Sequence, residues 1–255
     1  MAMAPNKASC KLKQGDSVIK KKATAGLALT VAAMLTCPGL PVFADQAATV
    51  TYLEGTADYR PSSGVAWQPL KKTTAVGENQ TVRTGKNGYV ELTLPDGSIL
   101  RLAPDTEFHI DTSLFPANKP RRFSARLLLG KLWARVTRSI QMGSGSFRTA
   151  TSTAVAGVRG TLYDLRTAEA RGTDIWVYEG VVAVGPAVFE QDGPKEEIAW
   201  PKEVSERQWE EIIVGKLQKL HIGPDGTPDK PTAFEPVKEE DDWASWNRRR
   251  DLLPR

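Results

Sequence analysis

An all-β fold is predicted by three features of the sequence. Between residues 48 and about 221, apolar and β-branched runs are short and alternate with polar residues instead of recurring at helical spacing. Glycine turns interrupt these runs about every eight to twelve residues. Finally, Pro95-Asp96-Gly97 presets one backbone angle with proline and supplies a left-handed one with glycine, which is the chemistry of a hairpin turn.

In chain order, residues 1–44 are expected to be a cleaved signal peptide. Lys20-Lys21-Lys22 precedes an apolar run at 23–35, a Pro38-Gly39-Leu40-Pro41 break and the small-residue site Val42-Phe43-Ala44. The apolar run is shorter than the ~20 residues of a membrane span. A β domain is expected over 45–222. Its strands begin with Val50-Thr51-Tyr52-Leu53, continue with the alternating run 89–94, and pass through the Pro-Asp-Gly turn to Ile99-Leu100-Arg101-Leu102. Further strands are expected at 127–129, 132–136, 175–178 and 181–184, punctuated by Gly130 and Gly180. Ile212-Ile213-Val214, Gly215 and 217–222 read as a late hairpin. Repeated strand, glycine and strand units point to a solenoid-like or roll arrangement, with a sandwich as the alternative.

Residues 223–255 change character. Pro224, Pro228, Pro231 and Pro236 mark an extended tail, and 239–251 lacks glycine and proline. That last stretch places Trp243 and Trp246 on one face of a short helix, expected to dock on its own domain.

Composition narrows the chemistry. Both cysteines, Cys10 and Cys37, fall in the expected leader, so thiol nucleophiles, redox pairs and cysteine-bound zinc are excluded from the exported chain. The leader holds six of the 34 basic and one of the 30 acidic residues, leaving 28 against 29, and the attraction to phosphate that nucleic acid binding needs is missing. No catalytic residue is expected. Gly143-Ser144-Gly145-Ser146 lacks the register of a nucleophile elbow, and neither it nor 157–161 has the lysine and spacing of a phosphate loop. Asp105, Glu107 and Asp111 read as a solvated strand face. His109 and His221 lack ligands at metal spacing, so neither a metal nor a cofactor is expected.

One local feature stands out. Residues 112–163 contain nine basic residues and no acid. Within them, alternation over 131–136 puts Leu132, Ala134 and Val136 on one face and Lys131, Trp133 and Arg135 on the other. An exposed tryptophan between two cations is a candidate binding surface, and Arg122, Arg126, Lys131, Trp133 and Arg135 are its expected members. The alternative is that Glu239, Glu240, Asp241 and Asp242 fold back over these cations. Asp96 and Gly97 are read as turn residues, and Gly157, Gly160 and Gly180 as places where strands change direction.

Taken together, Thr84-Gly85, Asn87-Gly88-Tyr89-Val90-Glu91-Leu92, Leu94-Pro95-Asp96-Gly97-Ser98, Gly130-Lys131-Leu132-Trp133, Phe147-Arg148-Thr149-Ala150-Thr151, Val155-Ala156-Gly157-Val158-Arg159-Gly160-Thr161 and Tyr178-Glu179-Gly180-Val181-Val182-Ala183-Val184 resemble the FecR domain in order and spacing, over about residues 50–190. The resemblance implies an extracytoplasmic, β-rich sensory or interaction domain with solenoid-like short strands. In the founding regulators this domain meets a TonB-dependent outer-membrane receptor and relays a signal through a membrane helix to a cytoplasmic sigma-factor regulator. Only 22 residues precede the apolar run here, too few for that cytoplasmic part, so the expectation is limited to the periplasmic role. The partner expected is an envelope protein such as an outer-membrane receptor. The alternative is a structural envelope protein that binds peptidoglycan or another anionic glycan through the basic patch.

Overall fold

The computed structural model describes residues 46–116, 119–138, 145–187 and 211–253; the expected signal peptide and the Gly143-Ser144 end of the glycine-serine loop lie outside them. The chain is laid down in short pieces that alternate between two layers. β1 (Ala48–Glu54) starts the first layer, while β2 (Ala57–Arg60) and β3 (Gln68–Pro69) start the second. β4 (Ala75–Val76) returns to β1, and β5 (Gln80–Thr84) pairs with β2. The hairpin of β6 (Tyr89–Thr93) and β7 (Ile99–Leu102) extends the first layer from β1, and β8 (Glu107–Leu114) extends the second from β5.

The long strand β9 (Arg122–Arg135) belongs to both layers. Its first half pairs with β8 and its last residues pair with β7. From there β10 (Ser146–Ala150) and β11 (Ala154–Val158) continue the second layer, and β12 (Leu162–Ala168) and β13 (Gly172–Glu179) the first. β14 (Val182–Pro186) and β15 (Ile212–Val214) then join the second, and β16 (Gln218–Ile222) and β17 (Thr232–Ala233) the first. Among the described residues the protein is all-β apart from one C-terminal helix, α1 (Asp242–Asp251).

Period-two alternation dictates this packing, because one face of each layer is apolar and must be buried. Val50, Leu92, Leu132 and Ile175 of the first layer meet Phe108, Phe123, Leu127, Phe147 and Val184 of the second in one core cluster. Each such side chain contributes roughly 1.5–3 kcal/mol when fully removed from water. The β6–β7 hairpin forms around Pro95-Asp96-Gly97 as expected, with Gly97 at φ +79. Asp96 accepts from Ser98 N at 2.9 Å and also from Arg121, so the turn is tied to the chain entering β9.

The glycine units are mostly crossings between layers. Gly130 bends β9 at φ +97, where an added Cβ would lie 2.3 Å from Thr106 Oγ1. Gly180, at φ +83 and packed on Gly160 O, carries the chain from β13 to β14. Among the described residues, ladders are antiparallel except β10 on β9, and consecutive hairpins alternate between the facing layers.

Two expectations are corrected. Residues 212–222 do not form a hairpin: β15 pairs with β14 and β16 with β13, and Gly215 lies at the passage between layers. Gly157 lies inside β11 without a positive φ, and an added Cβ there would meet only Ala183 O at 3.7 Å. It is a strand residue, unlike Gly160 at φ +64.

Candidate functional site

The outward face of the first layer is not left to solvent. From β6 it displays Tyr89 and Glu91, from β7 Arg101, from β9 Lys131, Trp133 and Arg135, from β12 Asp164 and Arg166, and from β13 Tyr178. The helix α1 lies over these residues. Its N-cap is Asp241, whose side chain accepts from Ala244 N at 2.9 Å, with Asp242 in the first turn and Arg248, Arg249 and Arg250 in the last, a charge order that suits the helix dipole. Trp243, Ala244, Asn247 and Arg250 recur at helical spacing and form the buried side.

Aromatic rings make the apolar part of the contact. Tyr89 stacks on Trp246 at 4.6 Å and on Trp243 at 6.1 Å between ring centres, and the two indoles stack on each other at 5.5 Å. Trp133 packs on Tyr178 at 4.5 Å, and Tyr178 meets the edge of Phe234 from the tail. Trp133, Trp243, Leu162 and Ala103 form a second buried cluster, separate from the core between the layers.

Two ionic networks frame the rings. In the first, the buried Arg101 donates from Nε to Glu91 at 2.8 Å, from Nη1 to Asn247 O at 3.1 Å, and from Nη2 to Asp251 at 2.6 Å. Arg250 reaches back to Glu91 at 3.2 Å, and Arg135 joins Asp251 at 2.8 Å. In the second, Asp241 accepts from Arg166 at 2.7 Å and Lys131 at 3.2 Å, while Arg166 also holds Asp164 at 2.6 Å. The indole N–H of Trp243 donates to Asp164 at 3.2 Å.

Burial pushes the Asp164 carboxyl up, further than Arg166 and the Trp243 indole pull it down. For Asp241, burial acts in the same direction, but the Ala244 N–H, Arg166 and Lys131 outweigh it and hold the carboxyl below its ordinary value.

The five residues expected to form one exposed patch are divided. Arg122 and Arg126 lie on the second-layer half of β9, with Arg126 paired to Asp111 at 2.7 Å. Lys131, Trp133 and Arg135 lie on the first-layer half, beyond the Gly130 bend. Trp133 points outward from the core as alternation requires, yet it is only 5% exposed because α1 and Tyr178 cover that face. The expected open tryptophan surface is therefore a covered one; of the acids expected to fold back, Asp241 meets Lys131, whereas Glu239 pairs with Lys219 and Glu240 with Arg248, and Arg135 is met by Asp251 instead. Asp105 sits in a turn at φ +52, and Asp111 is occupied by Arg126 and, at 3.6 Å, His109. Sequence reasoning missed Arg101, Glu91, Asp164 and Arg166. A signal for the first two existed, since the predicted Pro-Asp-Gly hairpin sets Glu91 directly opposite Arg101.

Residues 80–183 match the family model described as FecR protein, a stretch that runs from β5 into β14 and contains the whole of β9. Among solved structures, two crystal structures of a candidate anti-sigma factor from Parabacteroides distasonis ATCC 8503, at 1.65 and 2.50 Å resolution, are similar at 14% identity and a TM-score of 0.43. The similarity covers 61% of this chain and 60% of that one. No curated protein matches. Every sheet residue of the two networks beneath α1, with Tyr89, Trp133 and Tyr178, lies inside the stretch 80–183 that matches the FecR family model.

Proposed function

We propose that the protein is a non-enzymatic interaction or sensing module of the bacterial envelope, similar to the periplasmic part of FecR-type regulators, whose recognition surface is the first-layer face now occupied by α1. The observation that carries this reading is the complementarity of the contact. A sheet face of tyrosines, a tryptophan and four cations receives a helical segment whose indoles and terminal carboxylates match it ring for ring and charge for charge. Such a face is built to hold a tryptophan-bearing helix with a carboxylate at each end, and the chain supplies one itself.

The fit is incomplete. On the sheet face, Trp133 Nε1 and Arg135 Nε are buried without acceptors among the described residues, and unpaired buried donors each cost about 1–3 kcal/mol. A partner that satisfied them would compete with α1. The leader read at residues 1–44 supports export, and an envelope protein such as an outer-membrane receptor is the proposed partner. The competing glycan surface at Arg122, Arg126, Lys131, Trp133 and Arg135 loses support, because Lys131 and Arg135 are paired with helix acids and Trp133 is covered.

The test is capture of envelope extract by the exported chain and by its Asp241→Lys/Asp251→Lys variant, with elution by a synthetic 239–253 peptide. The expected result is a protein partner that binds the variant more strongly, survives high salt and is released by the peptide. Equal capture by both proteins, or capture indifferent to the peptide, would overturn the reading.

A further inference from the structure

On the same outward face, at its β13–β16–β17 edge, lies a groove of about 430 Å³ that none of the contacts described above uses. Its floor is a cross-strand block in which Asp174 faces His221 and Trp176 faces Lys219. Its far wall is the tail segment around Asp229 and Lys230. That wall is held in place by backbone hydrogen bonds, since Asp229 N donates to His221 O at 2.8 Å, Pro228 bridges to Ile222 and Thr232 pairs with Lys219. Flanking prolines at 228 and 231 further restrict it. The groove is thus preformed, at a size ordinary for a small-molecule site.

Its chemistry is specific. Trp176 is half-buried and lines the groove, with the Arg166 guanidinium over one face of its ring at 4.2 Å from the ring centre. Asp174 and His221 are joined at 2.7 Å yet remain 35% and 42% exposed, leaving the second carboxylate oxygen and the other ring nitrogen open to a ligand. Lys219 is tied to Glu239. The side chains of Asp229 and Lys230 make no hydrogen bond or ion pair among the described residues. An indole plate ringed by carboxylates, an imidazole and an ammonium offers an apolar surface for C–H groups together with acceptors and donors for hydroxyls.

We propose that this groove binds a pyranose ring of a polysaccharide, stacked on Trp176, with its hydroxyls held by Asp174, His221, Asp229 and Lys230. The groove lies on the same face but its lining residues are not those that contact α1, so its failure would leave the proposed protein interaction untouched.

The exported chain, ¹⁵N-labelled, is titrated with a neutral N-acetylglucosamine tetramer and separately with a galacturonic acid tetramer, following by NMR the backbone amide resonances of the groove residues Lys219 and His221, which every variant retains. A saturable shift with one of them is expected, and the arm that responds identifies whether the ring is neutral or acidic. Trp176→Ala is expected to weaken binding about tenfold, Trp176→Phe less, and the exposed Lys230→Ala severalfold with unchanged melting temperature. Arg126→Ala on the other layer is expected to change nothing. Absence of a saturable shift with both sugars, or a shift that Trp176→Phe and Lys230→Ala leave unaltered, would overturn the proposal.

Discussion

Arg101 and Asp251 stand 150 positions apart in the chain and are joined by a 2.6 Å ion pair, with the arginine side chain 1% exposed. Together with Glu91 and Asn247, Asp251 satisfies a guanidinium that the sheet buries under α1. Breaking a buried pair from one side leaves the other charges unpaired, at about 3–5 kcal/mol. Arg101→Met is therefore expected to lower unfolding free energy by an amount of that order in urea denaturation. A double-mutant cycle with Asp251→Asn should show coupling, since the two side chains share one network.

The exposed ion pairs are expected to matter much less. Lys131 and Arg126 are each 39% exposed, and pairs of that kind contribute about 0–1 kcal/mol. Lys131→Gln and Arg126→Gln should shift the denaturation midpoint little. Trp243→Ala, by contrast, removes a ring that is 3% exposed between Tyr89, Trp246 and Asp164, and a loss of about 3–5 kcal/mol is expected in the same assay.

The two glycines Gly130 and Gly157 should separate cleanly. Gly130→Ala meets both a left-handed backbone at φ +97 and a contact at 2.3 Å, so a loss of at least about 1–3 kcal/mol is expected. Gly157→Ala meets neither, and should be neutral or stabilising by up to about 1 kcal/mol. Thermal melts of both variants check the pair.

Acidification acts on the helix contact through two carboxyls of opposite sign. Asp164 is raised in the folded state, so its proton uptake between its folded and unfolded values favours the folded state as pH falls. Asp241 is depressed, so its contribution is complete above its unfolded value, near 3.9, and is lost as pH drops through the lower folded value. Docking of α1, followed by the Trp243 indole resonance, should hold or strengthen on mild acidification and weaken only below about pH 4. In Asp241→Asn that final acid-side loss should disappear.

Much of the fold was legible because it rests on local chemistry. Alternation in Tyr89-Val90-Glu91-Leu92 and in 131–136 assigned inward and outward positions, Pro95-Asp96-Gly97 placed a hairpin, and the Trp243–Trp246 spacing placed a helix. What escaped was everything that depends on which strand lies beside which. Gly215 looked like a hairpin turn and lies where the chain crosses between layers, since a break in alternation does not reveal where the next strand will pair. The candidate site suffered the same way. Residues 122–135 are contiguous, but the Gly130 bend sends their two halves into different layers, and charges that lie close in the chain end on separate surfaces.

Sequence patterning was sufficient for the all-β class, the terminal helix and the set of residues that turn away from the core, because these follow from periods of two and 3.6 and from the backbone demands of glycine and proline. It was also sufficient to present the fold-back of tail acids as an alternative. Whether Trp133 is open or covered could be settled only by packing, since an outward position on a sheet becomes surface or interface according to what crosses it. Here α1 crosses it, drawn by Arg101, Lys131, Arg135 and Arg166 to carboxylates that begin 75 residues beyond the last of them.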